Sequence, residues 1–320
     1  MTNYLVTGGL GFIGSALVDR LSKKKNNYIY ILDNKSRERK YEKYKKKNIK
    51  YIYGDIRFAK LEFLNKIDTV YHLAYINGTV NFYRHPRDVM DVGINGTVNL
   101  INQINKKGKK VKKFIYASSS EVYQQIEKIP TNENTALRVP DIKNPRFTYG
   151  GSKILGEQLT WFYLNSKIKK IIFRPHNFYG ANMGYNHIIP EIFKKIYLKS
   201  KKLSKKKISL KIEGTGNETR SFCYIDDAID AILKCETVNK SDIFNIGNND
   251  EIKIIDLVKK ILSILNLRAK ITKGPLKKGS VLRRCPDIKK ISKIGYKKKY
   301  NLNQGLKKTL EWYIQNIENK

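Results

Sequence analysis

The sequence predicts an α/β protein, a Rossmann-type doubly wound parallel sheet of about seven strands with a smaller carboxy-terminal substrate-binding lobe. A glycine-rich turn joins a short apolar strand to an amphipathic helix near the first residue, which is how such sheets begin. Apolar strands and amphipathic helices then alternate through the first half of the chain. A length of 320 residues provides for a large core and for two lobes around a cleft.

The first strand and helix are predicted at residues 4–7 and 12–21, with the glycine turn between them. Gly9, Gly11 and Gly14 match the Gly-x-Gly-x-x-Gly pattern of a dinucleotide site, and Gly8 precedes it. Such a turn aims backbone N–H groups and the positive end of a helix dipole at one point, which suits a pyrophosphate. The turn therefore predicts a dinucleotide cofactor.

The second strand, residues 28–32, indicates which dinucleotide this is. Asp33 follows it, at the distance where an acid reaches the ribose hydroxyls of adenosine. Because a carboxylate repels a ribose phosphate, Asp33 favours NAD over NADP. The cations Arg37, Arg39 and Lys40 lie close behind and weaken that preference. NAD is the expected cofactor.

The third and fourth strands are predicted at residues 49–53 and 69–74. Asp55, just past the third strand, is either an acceptor for the adenine amino group or a turn aspartate, and its spacing fits both equally. Ala74 is small where a backbone passes close to a bound cofactor. His72 lies inside an apolar strand and is expected to be a packed histidine rather than a base.

A helix at residues 89–104 and a strand at residues 113–117 follow. That strand ends in three hydroxyls and a carboxylate, Ser118-Ser119-Ser120-Glu121. Since ligands of open α/β sheets bind at the carboxyl ends of the strands, these side chains are candidates for a site.

The next helix, residues 148–164, carries Tyr149 and Lys153 one turn apart on the same face. A lysine ammonium and a cationic nicotinamide both favour the phenolate form of a tyrosine, whose pKa is otherwise near 10. Such a tyrosine can take the proton of a sugar hydroxyl while hydride leaves the same carbon, and a serine opposite can hold that oxygen. The pattern predicts oxidation of a sugar alcohol by NAD.

The rest of the chain is predicted to form the substrate lobe. Residues 1–175 are expected to form the NAD-binding domain, residues 222–247 to return to it, and residues 176–320 to form mainly the nucleotide-sugar-binding lobe. Residues 226–235 are expected to form a helix whose first residues are capping acids. The other predicted helices are residues 186–198, 254–265 and 305–317, and the predicted strands are residues 210–213, 222–225 and 243–246.

The net charge is +36, from 64 Lys and Arg against 28 Asp and Glu, which raises nucleic-acid or anionic-membrane binding as an alternative. The lysine runs are scattered and lack the interleaved aromatic residues of a single-strand groove, so a solvated basic surface without a specific nucleic-acid partner is expected. The three cysteines, Cys223, Cys235 and Cys285, form no close pair and no metal-ligand spacing. With no signal peptide and no membrane insertion expected, the predicted location is cytoplasmic.

In its motifs, the chain resembles the extended short-chain dehydrogenase/reductase superfamily, in the NAD-dependent nucleotide-sugar epimerase/dehydratase branch that includes UDP-glucose 4-epimerases and decarboxylases. The shared landmarks run nearly from end to end: Thr7-Gly8-x-x-Gly11-x-x-Gly14, Asp33, Gly54-Asp55, His72-Leu73-Ala74, Asn95-Gly96-Thr97, Ser118-Ser119-Ser120-Glu121-Val122-Tyr123, Tyr149-x-x-x-Lys153, Arg174-x-x-Asn177, Gly214-x-Gly216 with Arg220, and Arg283-Arg284-x-Pro286-Asp287.

This resemblance implies roles for individual residues. It makes Tyr149 the base on the sugar hydroxyl, Lys153 its pKa partner and a ribose ligand, and Ser119 the hydroxyl beside it. The substrate residues it implies are Ser119, Ser120, Tyr149, Asn177 and Arg220, with Arg283 or Arg284 as a further clamp on the diphosphate. The cofactor residues it implies are Gly8, Gly11, Phe12, Ile13, Gly14, Asp33, Asn34, Asp55, Ile56, Leu73, Ala74, Asn95 and Lys153. It also implies a homodimer through residues 89–104 and 148–164.

The expected activity is epimerization of a nucleotide-diphosphate sugar at C4 through a 4-keto intermediate. A 4,6-dehydratase and a UDP-glucuronate decarboxylase share the first step, and Glu121 keeps both alternatives open. The sequence lacks the Asp-Glu pair of dTDP-glucose dehydratases, and Tyr75 stands where the family usually has alanine, beside the expected nicotinamide. That bulk is expected to reshape the sugar pocket. The alternative from another class is a non-catalytic, basic NAD-binding module, which would not need Ser119, Tyr149 and Lys153.

Overall fold

A parallel β-sheet forms the centre of the molecule. The computed structural model describes residues 1–36, 46–124, 128–276 and 279–317, so Arg37, Arg39 and Lys40 lie outside the described residues. The strands are β1 (Thr2–Thr7), β2 (Asn27–Asp33), β3 (Ile49–Tyr53), β4 (Thr69–His72), β5 (Lys113–Ala117), β6 (Lys169–Pro175), β7 (Phe178–Tyr179), β8 (Lys207–Lys211), β9 (Thr219–Ser221), β10 (Cys223–Tyr224), β11 (Asp242–Ile246), β12 (Glu251–Lys253), β13 (Arg268–Thr272) and β14 (Arg283–Arg284).

Seven of the described strands form the main sheet, in the order β11-β6-β5-β4-β1-β2-β3, and all neighbours are parallel. This confirms the predicted fold class. The chain leaves β1 in one direction to β2 and β3 and later returns to β4 on the other side. In doubly wound sheets the crevice at such a reversal is where ligands bind. The carboxyl ends of β1 and β4 therefore mark the expected cofactor site.

Helices cover both faces of the sheet, which is why its central strands read as continuous apolar runs. Leu5 and Val6 of β1 are both fully buried, although their side chains point to opposite faces. The helices are α1 (Phe12–Ser22), α2 (Thr79–Arg84), α3 (Pro86–Lys107), α4 (Thr148–Gln158), α5 (Ile188–Lys199), α6 (Ile225–Thr237), α7 (Ile254–Ile264), α8 (Lys289–Lys293) and α9 (Leu302–Asn316). Helices α1 and α6 pack together on one face, and α3 and α4 on the other.

The remaining strands build three small sheets beside the carboxyl edge of the main sheet. β10 pairs with β7, β13 pairs with β8, and β9 lies between β12 and β14. β11 instead pairs with β6, in agreement with the predicted return of this segment to the main sheet.

Most predicted elements lie within a few residues of their observed positions, but three differ. The helix expected at 148–164 ends at Gln158 and continues as a π-helical turn, Leu159–Tyr163. The strand expected at 210–213 lies earlier, at Lys207–Lys211. The strand expected at 222–225 is shorter, at Cys223–Tyr224, because Ile225 already begins α6.

The capping role expected of the acids at the start of α6 was wrong. The helix already begins at Ile225, and its N-cap residue Tyr224 makes no side-chain capping bond. Asp227 instead accepts backbone N–H bonds from Lys299 and Tyr300, at 3.0 and 3.1 Å. This acid therefore ties the segment before α9 to α6.

Within the described ranges, no helix combines the length and the apolar character that a bilayer span requires.

Candidate active site

A cleft of about 1000 Å³ opens along the carboxyl edge of the main sheet. One wall is made by the glycine turn after β1 and by the ends of β2, β4 and β5. The start of α4 and residues that follow β6, among them Asn177, Arg220 and Arg284, form the other wall. The cleft's volume of about 1000 Å³ is at the upper end of the range of small-molecule and cofactor sites.

The glycine turn packs against the residues that follow β4. Gly8 has a φ of +68°, in the left-handed region, and a Cβ there would lie 2.7 Å from the backbone nitrogen of Ala74. A Cβ on Gly14 would overlap the carbonyl oxygen of Gly8. These two glycines allow helix α1, the turn and the end of β4 to approach each other closely.

The start of α1 is arranged for an anion. Its N-cap residue, Gly11, has no capping side chain, and no acid lies in the first turn. The N–H groups of Phe12, Ile13 and Gly14 precede the first intrahelical bond, which runs from the Ser15 N–H to the Gly11 carbonyl oxygen at 2.9 Å. The glycine cradle and these donors fit the pyrophosphate of NAD.

We expect Gly14→Ala to weaken NAD binding by roughly 5- to 150-fold, because relief of a backbone overlap costs about 1–3 kcal/mol. The added methyl must push α1 away from Gly8, and the phosphate donors move with the helix. Isothermal titration calorimetry with NAD measures the change. Gly184→Ala is the matched control, because a Cβ at Gly184 meets no atom within 4 Å. An unchanged dissociation constant for Gly14→Ala would show that the glycine turn does not bind NAD.

The end of the cleft beside β2 and β3 holds two of the predicted acids. Asp33 accepts the N–H of Leu10 at 3.0 Å and that of Lys35 at 2.8 Å, and it lines the cleft beside Asn34. Asp55 is a turn aspartate that accepts the Arg57 backbone N–H at 2.9 Å, and an ion pair with the Arg57 guanidinium at 2.7 Å lowers its pKa. Asp55 nevertheless lines the cleft, as an adenine acceptor would.

The structure separates Asn95 from the other predicted cofactor residues. Asn95 is exposed on α3, donates to Asp91 at 2.5 Å and does not line the cleft. Asn99, one turn further, donates to the carbonyl oxygen of Ile56 at 2.8 Å and so supports the loop after β3. Ile56, like Leu73 and Ala74, lines the cleft.

His72 is a packed histidine, as its apolar strand indicated. It is fully buried between two threonines, with Nδ1 2.8 Å from Thr7 Oγ1 and Nε2 3.0 Å from Thr97 Oγ1. The Thr7 oxygen also accepts the N–H groups of Leu73 and Ala74, both at 3.2 Å. Burial and the Lys153 charge lower the pKa of His72 to about 3, so it stays neutral and positions the end of β4.

The predicted hydroxyls meet at the carboxyl end of β5. Ser119 caps a short 3₁₀ turn and accepts the Glu121 N–H at 3.1 Å, and both Ser119 and Ser120 line the cleft. Tyr149, in the first turn of α4, lines the same end and is 6% exposed. Its ring stacks on Phe82 with centroids 4.8 Å apart and planes at 12°. The stack fixes the ring and directs it along the cleft wall.

Lys153 is almost completely buried behind Tyr149. Its ammonium donates to the Ala117 carbonyl oxygen at 2.5 Å and lies 3.3 Å from the ring centroid of Tyr75. Burial lowers the pKa of Lys153, and the nearby Glu157 opposes that effect. The bulk of Tyr75 is thus packed against Lys153 and Tyr149, whose ring it meets edge-on with centroids 5.5 Å apart.

A comparison of the sequence with models of known protein families gives a match over most of the chain. The model of the NAD-dependent epimerase/dehydratase family matches residues 4–247. The chain belongs to this family. Members of the epimerase/dehydratase family are enzymes that epimerise, dehydrate or decarboxylate nucleotide sugars, and their cofactor is NAD. The family, fold and cofactor predicted from the sequence are therefore confirmed.

Relatives of this epimerase/dehydratase family member differ in the reaction that their names give. This chain is 32% identical to a putative UDP-glucose 4-epimerase of Methanocaldococcus jannaschii, over 98% of each chain. It is 31% identical to a UDP-N-acetyl-alpha-D-glucosaminuronate decarboxylase of Bacillus cytotoxicus, again over 98% of each chain. The UDP-glucose 4-epimerase of Thermotoga maritima, solved with UDP-glucose, has the same fold, with a TM-score of 0.85 and 25% identity over 99% of this chain and 100% of that one.

Glu121 of this epimerase/dehydratase family member is held by two arginines. Its carboxylate accepts from Arg284 at 2.8 Å and faces Arg146 at 3.5 Å. Burial by itself would raise the pKa of Glu121, but the two cations lower it to about 2. Arg146 was not predicted as a site residue, although its position three residues before Tyr149 could have drawn attention to it.

Three of the four residues predicted to bind the diphosphate line the cleft. Asn177, at a φ of 41°, donates to the Ser221 carbonyl oxygen at 2.9 Å and lines the cleft. Arg220 also lines it, and burial together with the Arg284 charge lowers its pKa to about 10. Arg283 faces away, paired with Glu251 at 2.6 Å, so the cation in the cleft is Arg284.

A buried ion pair beneath the site was missed by the sequence interpretation. Glu157 pairs with Arg174 through two bonds of 2.6 and 2.8 Å and also accepts from Ser118. Its signal was present, because Tyr149, Lys153 and Glu157 recur every four residues on one face of α4. The pair joins α4 to β6 below the hydroxyl cluster.

Among the described residues, no group of three His, Cys, Asp or Glu side chains is arranged to hold a metal ion. The three cysteines are buried and unpaired with one another.

Proposed function

We propose that this protein epimerises a nucleotide-diphosphate sugar at C4. The observation that carries the proposal is the meeting of Ser119, Tyr149 and Lys153 at one end of the cleft, with the ionised Glu121 paired with Arg284 beside them. A dehydratase needs a base for the proton at C5, and a carboxylate with a pKa near 2 is a weak one. Epimerization needs only the tyrosine base.

In the proposed reaction, Tyr149 takes the proton of the C4 hydroxyl at its phenolate oxygen. The ammonium of Lys153 favours that phenolate, and the Ser119 hydroxyl donates to the sugar oxygen. NAD, when bound, supplies the hydride acceptor and donor for C4. The 4-keto sugar then turns over in the cleft, C4 receives the hydride on its opposite face, which inverts the carbon, and Tyr149 returns the proton to the C4 oxygen.

Substrate retention during that rotation is assigned to the second lobe. Arg220 and Arg284 are cationic and line the cleft, and guanidinium groups bind phosphates through paired N–H donors. Asn177 adds an amide beside them. Held by its diphosphate, the nucleotide stays bound while the sugar ring is free to turn.

Decarboxylation of a uronic acid is a second candidate because of the arginines around Glu121. The buried Nε atoms of Arg146 and Arg284 have no hydrogen-bond partner among the described residues, and the three charges sum to +1. A sugar carboxylate would supply the missing acceptor. A uronic acid oxidised at C4 is a β-keto acid and loses carbon dioxide readily.

The same proposal includes a homodimer built on α3 and α4. Large apolar side chains are exposed along α4 and its π-helical turn: Leu155, Phe162 and Tyr163. A helix face of this kind buries apolar surface when it meets a second copy. Analytical ultracentrifugation tests the dimer.

We further propose a division into a cofactor domain, residues 1–175 with 222–247, and a substrate lobe formed mainly by the rest.

The test is to incubate the protein and NAD with UDP-, GDP-, CDP- and dTDP-sugars, including a uronic acid, and to analyse the products by chromatography and mass spectrometry. We expect a product of unchanged mass and altered retention. Loss of water would instead identify a dehydratase, and loss of carbon dioxide a decarboxylase. No conversion of any sugar nucleotide, together with salt-sensitive binding to unrelated DNA duplexes, would favour the basic binding module.

Glu121→Gln separates the candidates within one chain. For a C4 epimerase we expect turnover to fall by less than about tenfold, because Glu121 takes part in no proton transfer of the epimerization and the amide keeps its shape between Arg284 and Arg146. A dehydratase that uses Glu121 as its base would lose about 10²–10⁴-fold. The measurement is the initial rate on the sugar converted by the parent enzyme.

A further inference from the structure

The ring of Tyr75 lies directly over the buried ammonium of Lys153. We infer that Tyr75 is a positioning residue whose ring face keeps Lys153 charged and aimed at the end of β5, as the proposed function requires. This inference rests on the proposed function for its effect on catalysis. Its geometric content, a cation held on an aromatic face, can be measured without any substrate.

The contacts of Lys153 leave its side chain little freedom. The Nζ atom is 3.3 Å from the ring centroid of Tyr75 and 4.9 Å from that of Tyr116. It donates to the Ala117 carbonyl oxygen at 2.5 Å, and the residue is 2% exposed. Two aromatic faces and one carbonyl therefore replace the water that would hydrate an exposed ammonium.

The ring of Tyr75 is itself fixed by three contacts with α3 and α4. Its hydroxyl donates to Ser152 Oγ of α4 at 2.9 Å. Its edge meets the Tyr149 ring at 89°. Gly93 of α3 makes room for the hydroxyl, because a Cβ there would overlap it. A tyrosine at position 75 thus requires a residue without a side chain at position 93, and the chain has both.

The charge balance explains why an aromatic face matters here. The titratable groups that face Lys153 from β4, the segment after it, β5 and α4 are His72, Tyr75, Tyr116, Tyr149 and Glu157. His72 is neutral, and Glu157 is already paired with Arg174. Burial lowers the pKa of Lys153. The electron-rich faces of the two rings stabilise its ammonium form and therefore oppose this effect of burial.

The sign of the effect follows from this balance. Leucine at position 75 would keep the site apolar and remove one ring face, so Lys153 would lose its proton at lower pH. A desolvated cation–π contact corresponds to about one pKa unit, or about a tenfold change in the protonation constant. In the proposed reaction the alkaline limb of the pH–rate profile belongs to Lys153, and this limb would move to lower pH.

The experiment compares Tyr75→Leu with Tyr75→Phe in protein labelled with carbon-13 at lysine Cε. The Lys153 signal is assigned by its loss in Lys153→Arg. In the parent and in Tyr75→Phe we expect an upfield ring-current shift and similar titration midpoints. In Tyr75→Leu we expect the upfield shift to be lost and the midpoint to fall by about one unit. An unchanged titration in Tyr75→Leu would overturn the inference.

A second variant covers the case in which Tyr75→Leu does not fold. Pentafluorophenylalanine at position 75 keeps the shape of the Tyr75→Phe ring and reverses the polarity of its face. We expect the same downward shift of the Lys153 midpoint, and an unchanged midpoint contradicts the inference.

The kinetic readout separates this inference from the proposed function. On a converted sugar nucleotide, Tyr75→Leu should lower kcat on the alkaline side by up to about tenfold and leave KM within about twofold. Rescue by Tyr75→Phe is expected, since it retains the ring. If no sugar is converted but the Lys153 titration shifts as described, the proposed reaction fails while the cation–aromatic pair stands.

Discussion

Tyr149→Phe is expected to reduce turnover of the sugar nucleotide by about 10³-fold, because the proposed base loses the oxygen that takes the proton. Phenylalanine keeps the stack on Phe82 and the edge contact with Tyr75, so the fold of the cleft should not change. The measurement is kcat on the sugar converted by the parent, with NAD affinity and melting temperature determined alongside. NAD affinity is expected to stay within about threefold of the parent.

Tyr53→Phe is the matched control, since Tyr53 is 71% exposed at the end of β3 and does not line the cleft. It should retain the activity of the parent. If Tyr149→Phe also turned over at the parent rate, Tyr149 would not be the base, and the non-catalytic alternative would gain support.

Glu157→Leu is expected to destabilise the protein by about 3–5 kcal/mol, because it leaves the Arg174 guanidinium buried without its carboxylate. Both side chains of the pair are nearly inaccessible, at 6% and 3% exposed. The variant also removes the acceptor of the Ser118 hydroxyl, directly below the site. Denaturant unfolding followed by circular dichroism measures the loss as a lower midpoint.

The double variant Glu157→Leu with Arg174→Met distinguishes an unpaired buried charge from lost packing. Replacement of both partners by apolar residues is often neutral, so most of the lost stability should return. Glu62→Ala is the surface control, because its pair with Lys107 is solvent-exposed and should leave the midpoint unchanged. A double variant no more stable than Glu157→Leu would mean that the pair acts through shape rather than charge.

The main sheet could be predicted because its signals are local. Apolar runs bounded by Gly, Asp or Ser marked β1 to β5 within about two residues, the usual uncertainty of such boundaries. The glycine turn also has a purely local cause, since Gly8 and Gly14 are needed where the backbone has no room for a Cβ. The common face of Tyr149 and Lys153 could also be predicted locally, because residues four apart in a helix lie on the same side.

The parts that were missed depend on partners far away in the chain. Glu121 and Arg284 are 163 residues apart, and nothing near either of them signals that they pair. Asp227 reads as a helix cap, but it serves backbone groups 72 and 73 residues further on. Arg283 and Arg284 are adjacent and chemically alike, yet strand β14 turns one outward and the other into the cleft.

The place of β11 at the edge of the main sheet has a consequence for synthesis of the chain. Ile171, Ile172 and Phe173 of β6 leave the ribosome well before residues 242–246, which cover their free hydrogen-bonding edge. At a translation rate of about 5–20 residues per second, the edge of β6 stays unpaired for several seconds until β11 has been synthesised. During this time an apolar strand with unpaired N–H and C=O groups is open to other nascent chains. Chains released before residue 242 are therefore the ones expected to need chaperones or to aggregate.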